Sequence, residues 1–175
     1  MPLYSFEGRE PVIHPRAYVH ESAQVIGDVV LGEECYVGAG AIIRGDYGRI
    51  RIGDRTAVEE GCIIHAPPTE TGTIGSGVIL GHGAIIHGSE IGSHARLGMG
   101  AITGFHSVIE EWVIIGDGAL VPPKSRIASG GVYMGNPARE IRKLTDEERE
   151  ATEYIVKIYA DLCSRYREGQ QRLSR

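Results

Sequence analysis

The chain has 175 residues, 42% of them hydrophobic but only 6% aromatic, with 25 glycines and a formal net charge of −5. This is the balance of a folded domain whose core is assembled from many small aliphatic side chains rather than a few rings. The acidic charge, with no dense Lys/Arg run, excludes a surface built to grip the phosphate backbone of nucleic acid.

The opening residues MPLYSFEGREP lack the basic-then-apolar order of a signal peptide, and no apolar stretch approaches the roughly 18 residues of a spanning helix. The sequence therefore predicts a cytoplasmic protein without membrane association. Cys35, Cys62 and Cys163 have no CxxC spacing, which argues against both a disulfide framework and a thiolate zinc site. They read as reduced thiols.

After a short lead-in, aliphatic residues recur every six positions at Ile13, Val19, Val25, Leu31, Val37 and Ile43, and again at Ile52, Val58 and Ile64. The pattern resumes at Ile74, Leu80 and Ile86, slips by one residue, and runs through Ile91, Leu97, Thr103, Ile109, Ile115, Val121 and Ile127. Thr103 is its only polar member. Glycine often follows the aliphatic position, and a small residue such as Ala23, Cys35, Ala41, Cys62, Ala84 or Ala101 often lies four later. A six-residue unit is too short for a helical hairpin but fits one short strand and a tight corner, both repeated positions facing inward. Three units close a triangular coil, so the array predicts about six coils with backbones stacked ~4.7–4.9 Å apart.

Residues 44–51 (RGDYGRIR) and 66–73 (APPTETGT) break the period and predict lengthened corners at the functional edge. After Pro137 the signal changes. Thr145 and Glu148 form a capping box, and Ile155, Tyr159, Leu162 and Tyr166 form one apolar helical stripe. The chain thus divides into a β-array over residues 1–137, and a linker with a C-terminal α-helix packed on it over residues 138–175.

The same arithmetic places the histidines. His65 and His87 hold the second position of units one full coil apart, which stacks them on one face with Cα atoms ~5 Å apart. Two imidazoles so spaced can share one ion. His82, at the third position of its unit, faces elsewhere, so a third ligand would come from His82 of an adjacent subunit; this predicts a cyclic homotrimer with interfacial metal sites. Arg44 lies one coil below His65, and Asp46 stands ready to pair with an arginine or support a ligand.

The hexad array resembles the hexapeptide-repeat left-handed β-helix proteins, and the left hand is what that resemblance implies. The motifs Arg44-Gly45-Asp46, His65 after Cys-Ile-Ile, and Gly81-His82-Gly83-Ala84-Ile85-Ile86-His87-Gly88 resemble the γ-class carbonic anhydrase family and its relatives in the carnitine and phenylacetate operons. That resemblance implies zinc, with iron or cobalt also suited to imidazole, held by His65, His82 and His87. It implies hydration of carbon dioxide to bicarbonate by metal-bound hydroxide. Ala57-Val58-Glu59-Glu60 replaces the family's Asn-x-Gln-Asp, so Glu59 is expected to hydrogen-bond the metal water, and Tyr159 resembles a site-edge tyrosine. The alternatives are a metal-dependent acyl-CoA thioester hydrolase, a CoA-dependent acyltransferase using a histidine and no metal, and an inactive trimeric scaffold. Metal dependence separates them.

Overall fold

The computed structural model describes residues 2–173. Most hexads contribute a strand of two or three residues, and successive coils pair in parallel so that equivalent hexad positions one coil apart lie opposite one another: Ile43 with Ile64, Ile64 with Ile86, Ile86 with Thr103, Thr103 with Val121. The result is the left-handed parallel β-helix with a C-terminal helix that the hexad pattern and its resemblance imply. One face of the prism carries Ile63–His65, Ile85–His87, Ile102–Thr103 and Leu120–Val121. A second carries Thr71–Ile74, Glu90–Ile91, Val108–Ile109 and Arg126–Ile127. The third runs from Tyr18–Val19 through Tyr36–Val37, Ala57–Val58, Ile79–Leu80, Arg96–Leu97 and Ile114–Ile115 to Gly131–Met134.

The repeated inward positions form the dry column between these faces. Leu31, Ile43, Leu80, Ile86, Leu97, Ile109 and Ile115 are buried, as are Ala23, Cys35, Ala41, Cys62, Ala84 and Ala101. Each large member contributes about 1.5–3 kcal/mol by leaving water. Burial pushes the Cys35 and Cys62 thiols up to about 12 and Cys163 to about 11, so all three stay protonated at neutral pH. The slip between Ile86 and Ile91 puts Ser89 into the column. There its hydroxyl reaches those of Thr103 (2.7 Å) and Ser107 (2.8 Å), which satisfies the one polar residue of the hexad phase.

The structure gives the irregular segments a definite form. The lengthened corner at residues 44–51 is built as strand: Ile42–Ile52 is one continuous strand that rounds the corner, paired along Gln24–Leu31 with a register shift between Gly27 and Val29. The inserted residues are absorbed because Ile50 joins Ile52 in the core. Residues 139–143, expected as linker, form a strand antiparallel to Gly131–Met134.

The helix spans Asp146–Gly169 and starts where the capping box predicts. The Glu148 N–H donates to Thr145 Oγ1, and the Thr145 N–H donates to the Glu148 carboxylate. Pairing with Arg142, then the Thr145 N–H, holds the Glu148 carboxyl down at about 2. The helix lies on the third face, and there the missing aromatics gather. Tyr18, Tyr36, Tyr159 and Tyr166 stack with centroids 5.1–5.8 Å apart, over Ala57 and Cys163. The rings glue helix to prism rather than filling it. Among the described residues no helix is long and apolar enough to cross a membrane.

Candidate active site

The corner that leaves the first face carries the predicted ladder. Arg44 pairs in register with His65, and His65 with His87. The two imidazoles lie with centroids 5.3 Å apart and planes 25° from parallel, and Phe105 closes on His87 from the next coil at 3.7 Å. Asp46 is buried between the lower two: one oxygen lies 2.5 Å from Arg44 Nη1, the other 3.2 Å from His65 Nε2. Burial alone would raise the Asp46 carboxyl, but the Tyr47 N–H, Arg44 and His65 bring it below the usual carboxylate range. Burial first, then neighbouring His65 and Arg44, lowers His87.

His82 stands at the other corner of the same face, half exposed, with a different set of partners. The Glu60 carboxylate lies 2.7 Å from Nδ1, and buried Glu59 lies 3.2 Å from Nε2 while also accepting the His82 backbone N–H at 3.0 Å. Both glutamates sit one coil below. Glu60 is backed by a tyrosine of the aromatic layer. The Tyr36 hydroxyl donates to Glu60 Oε1 at 2.8 Å. The Tyr159 phenol is raised well above its ordinary value, first by burial and then by its hydrogen bond to Glu59. Glu60 and Tyr36 escaped the sequence reading, although the register that sets His87 over His65 also sets His82 over Glu60.

This arrangement does not fit the expected zinc, iron or cobalt centre. Among the described residues no group of three or more His, Cys, Asp or Glu side chains is disposed to hold a metal ion. The reason is local. His65 Nε2 faces Asp46, which brings a guanidinium against the pair, and the stacked rings of His65 and His87 lie side by side rather than converging. His82 is taken up by two carboxylates. Glu59, expected to bond a metal-bound water, instead meets His82 at its backbone N–H and at Nε2.

Beside this corner a groove of about 410 Å³ runs up the third face next to the helix. It is lined by Glu59 and Gly81 at the His82 corner, by Ile79, Arg96 and Ile114 on the strands, and by Ile155 of the helix among others. Its floor is apolar, with the Arg96 side chain as its cation.

The sequence pattern described as bacterial transferase hexapeptide (six repeats) matches residues 10–45. Carnitine operon protein CaiE of Escherichia coli (strain K12) is 39% identical over 171 residues, which cover 94% of this chain and 84% of that one. The chain belongs to the CaiE family. Among solved structures, a putative acetyltransferase of Bacillus cereus superposes on this CaiE relative with a TM-score of 0.93 at 33% identity, covering 96% of this chain and 98% of the other. A histidine-to-asparagine mutant of perosamine N-acetyltransferase from Caulobacter crescentus, in complex with CoA and GDP-perosamine, matches with a TM-score of 0.55 at 26% identity, over 74% of this chain and 55% of that one. These likenesses correct the functional expectation. The relatives are carnitine operon proteins and transferases, not carbonic anhydrases, so the lyase assignment and its zinc are withdrawn together.

Proposed function

We propose that this CaiE relative is a CoA-dependent acyltransferase in which His82 is the general base. The observation that carries this reading is the His82 imidazole held between Glu59 and Glu60 beside an apolar groove. The closer contact, at Nδ1, favours the tautomer with its proton on Nδ1 and directed to Glu60, and an incoming acceptor takes the place of Glu59, 3.2 Å from Nε2, to meet the lone pair there. As the acceptor's oxygen or nitrogen attacks the thioester carbonyl carbon, its proton passes to Nε2. The imidazolium so formed lies between two carboxylates. When the C–S bond breaks, the same proton passes to the departing CoA thiolate, and His82 is restored. The acetyltransferase likeness and the CoA held by the perosamine enzyme support this choice of donor.

The test is release of free thiol from acetyl-CoA in the presence of panels of small alcohols and amines, with CoA binding followed separately by calorimetry. Thiol release that needs an acceptor and survives a chelator is the expected result. Failure to bind CoA at all would remove the reading.

The working unit is a homotrimer. Ile63, Ile85 and Ile102 form an outward aliphatic ladder on the face bounded by the His82 corner and the Arg44–His65–His87 corner. Packing that ladder against a second copy would bury it and bring one subunit's His82 towards the next subunit's histidine pair. Light scattering should give three times the monomer mass, and Ile85→Asp should return monomers; a wild-type monomer would refute the assembly.

A further inference from the structure

We propose that Tyr36 and Glu60 are positioning residues that fix the orientation of the His82 ring, so that the aromatic layer under the C-terminal helix sets the geometry of the base. The proposal rests on the reading of His82 given above. Two independent observations carry it.

The first is the unbroken chain of contacts. Tyr36 is buried within the layer, with Tyr18, Tyr159 and Tyr166 around its ring at 5.6, 5.2 and 5.8 Å. Its hydroxyl donates to one oxygen of Glu60, whose other oxygen meets His82 Nδ1 at 2.7 Å. A ring locked by packing on all sides is a rigid donor, and a carboxylate bonded at both oxygens loses its rotational freedom. Burial and the Glu60 bond both push the Tyr36 phenol above its ordinary range, so it remains a donor at any working pH.

The second observation comes from the fold's own repetition. Glu60 occupies the third hexad position, where other coils use a short side chain to tie one corner to the coil below. Asp54 Oδ1 accepts the Glu33 N–H at 2.8 Å, Ser76 Oγ the Asp54 N–H at 3.1 Å, and Asp117 Oδ1 the Met99 N–H at 2.9 Å. Glu60 has a longer side chain and makes its hydrogen bonds with Tyr36 and the next coil's His82 instead. Corner tying does not call for a glutamate here; holding an imidazole does.

The test compares Tyr36→Phe and Glu60→Gln with wild type. Tyr36→Phe keeps the ring and its stacking, and Glu60 is only partly buried, so both variants should fold. In nitrogen-15 spectra of the imidazoles, both changes should move the His82 Nδ1 resonance and leave those of His65 and His87 in place. In the acetyl-CoA assay each should lower kcat about tenfold, the scale of one charge-assisted hydrogen bond, with KM for acetyl-CoA within about twofold. Tyr36→Phe should add nothing to Glu60→Gln, because both act through one ring. An unmoved His82 resonance in Tyr36→Phe would overturn the proposal. A moved resonance in a protein without acyl transfer would uphold the positioning role and overturn the acyltransferase reading instead.

Discussion

Substituting alanine for Gly27 is expected to destabilise the protein by about 3 kcal/mol or more, lowering its thermal midpoint by about 6–12 °C for a chain of this size. Gly27 has φ of +76°, and a Cβ there would come within 2.3 Å of the Gly45 carbonyl oxygen and 2.9 Å of its carbon. The obstacle is backbone, not the movable tip of a side chain. Gly45 is similarly constrained, since its own Cβ would lie 2.5 Å from the Asp28 oxygen. The two glycines pass each other where the long strands turn the corner, so neither coil can move without unpairing its neighbour. Gly40 provides the comparison: its φ is +69° but a Cβ there would meet nothing within 4 Å. Gly40→Ala should therefore cost only the left-handed backbone penalty of about 1–2 kcal/mol. Calorimetry of both variants separates strain from collision. Equal shifts in midpoint would mean that the collision is relieved by movement the packing argument does not allow.

His82→Asn is expected to lower kcat for acyl transfer by about 10²–10⁴, a loss of about 3–5 kcal/mol of transition-state stabilisation. Asparagine keeps the size and a donor but has no lone pair of comparable basicity. CoA affinity should be nearly unchanged, because the groove is lined by strand residues such as Ile79, Arg96, Leu97 and Ile114 with Ile155 of the helix, and not by the His82 side chain. His65→Asn should have a smaller effect, since that ring is engaged by Asp46 rather than offered to an acceptor. Initial-rate kinetics on the two variants decide the matter. Retention of more than about a tenth of wild-type kcat in His82→Asn would show that another group takes the proton.

Much of this architecture follows from a single period. Inward aliphatics at six-residue spacing fix which strands pair and in what register, so the vertical alignment of Arg44, His65 and His87 was available from counting alone. So was the capping box at Thr145. What counting cannot supply is the torsion of each side chain. Stacked Cα positions are compatible with imidazoles that converge on an ion or with imidazoles lying side by side, and the buried carboxylate of Asp46 accompanies the second outcome. The tyrosine layer was hidden for a related reason. Tyr18 and Tyr36 occupy the position just before the inward aliphatic, which points outward, and only the helix arriving from more than 120 residues away turns that outward face into an interior. Glu60 carried a signal that was there to be used: register alone sets it beneath His82. The continuity of Ile42–Ile52 was obscured because an insertion in the period looks like a loop in sequence, whether or not the strand absorbs it.

A stack of parallel coils has a growth problem, since its last coil offers unpaired backbone to any strand of the same chain, and repetition makes every copy a suitable one. The strand Arg139–Lys143 answers it at the C-terminal edge of the third face. It runs against the direction of the coils, so it breaks the parallel register in which a further rung would add, and all five of its residues are exposed. Its charges are tied in place, Lys143 to Glu140 and Arg142 to Glu148 at the head of the helix. The hairpin that looked like a mere connection to the helix is thus a stopper, and a chain cut short at residue 137 would be left with a sticky end suited to building fibres.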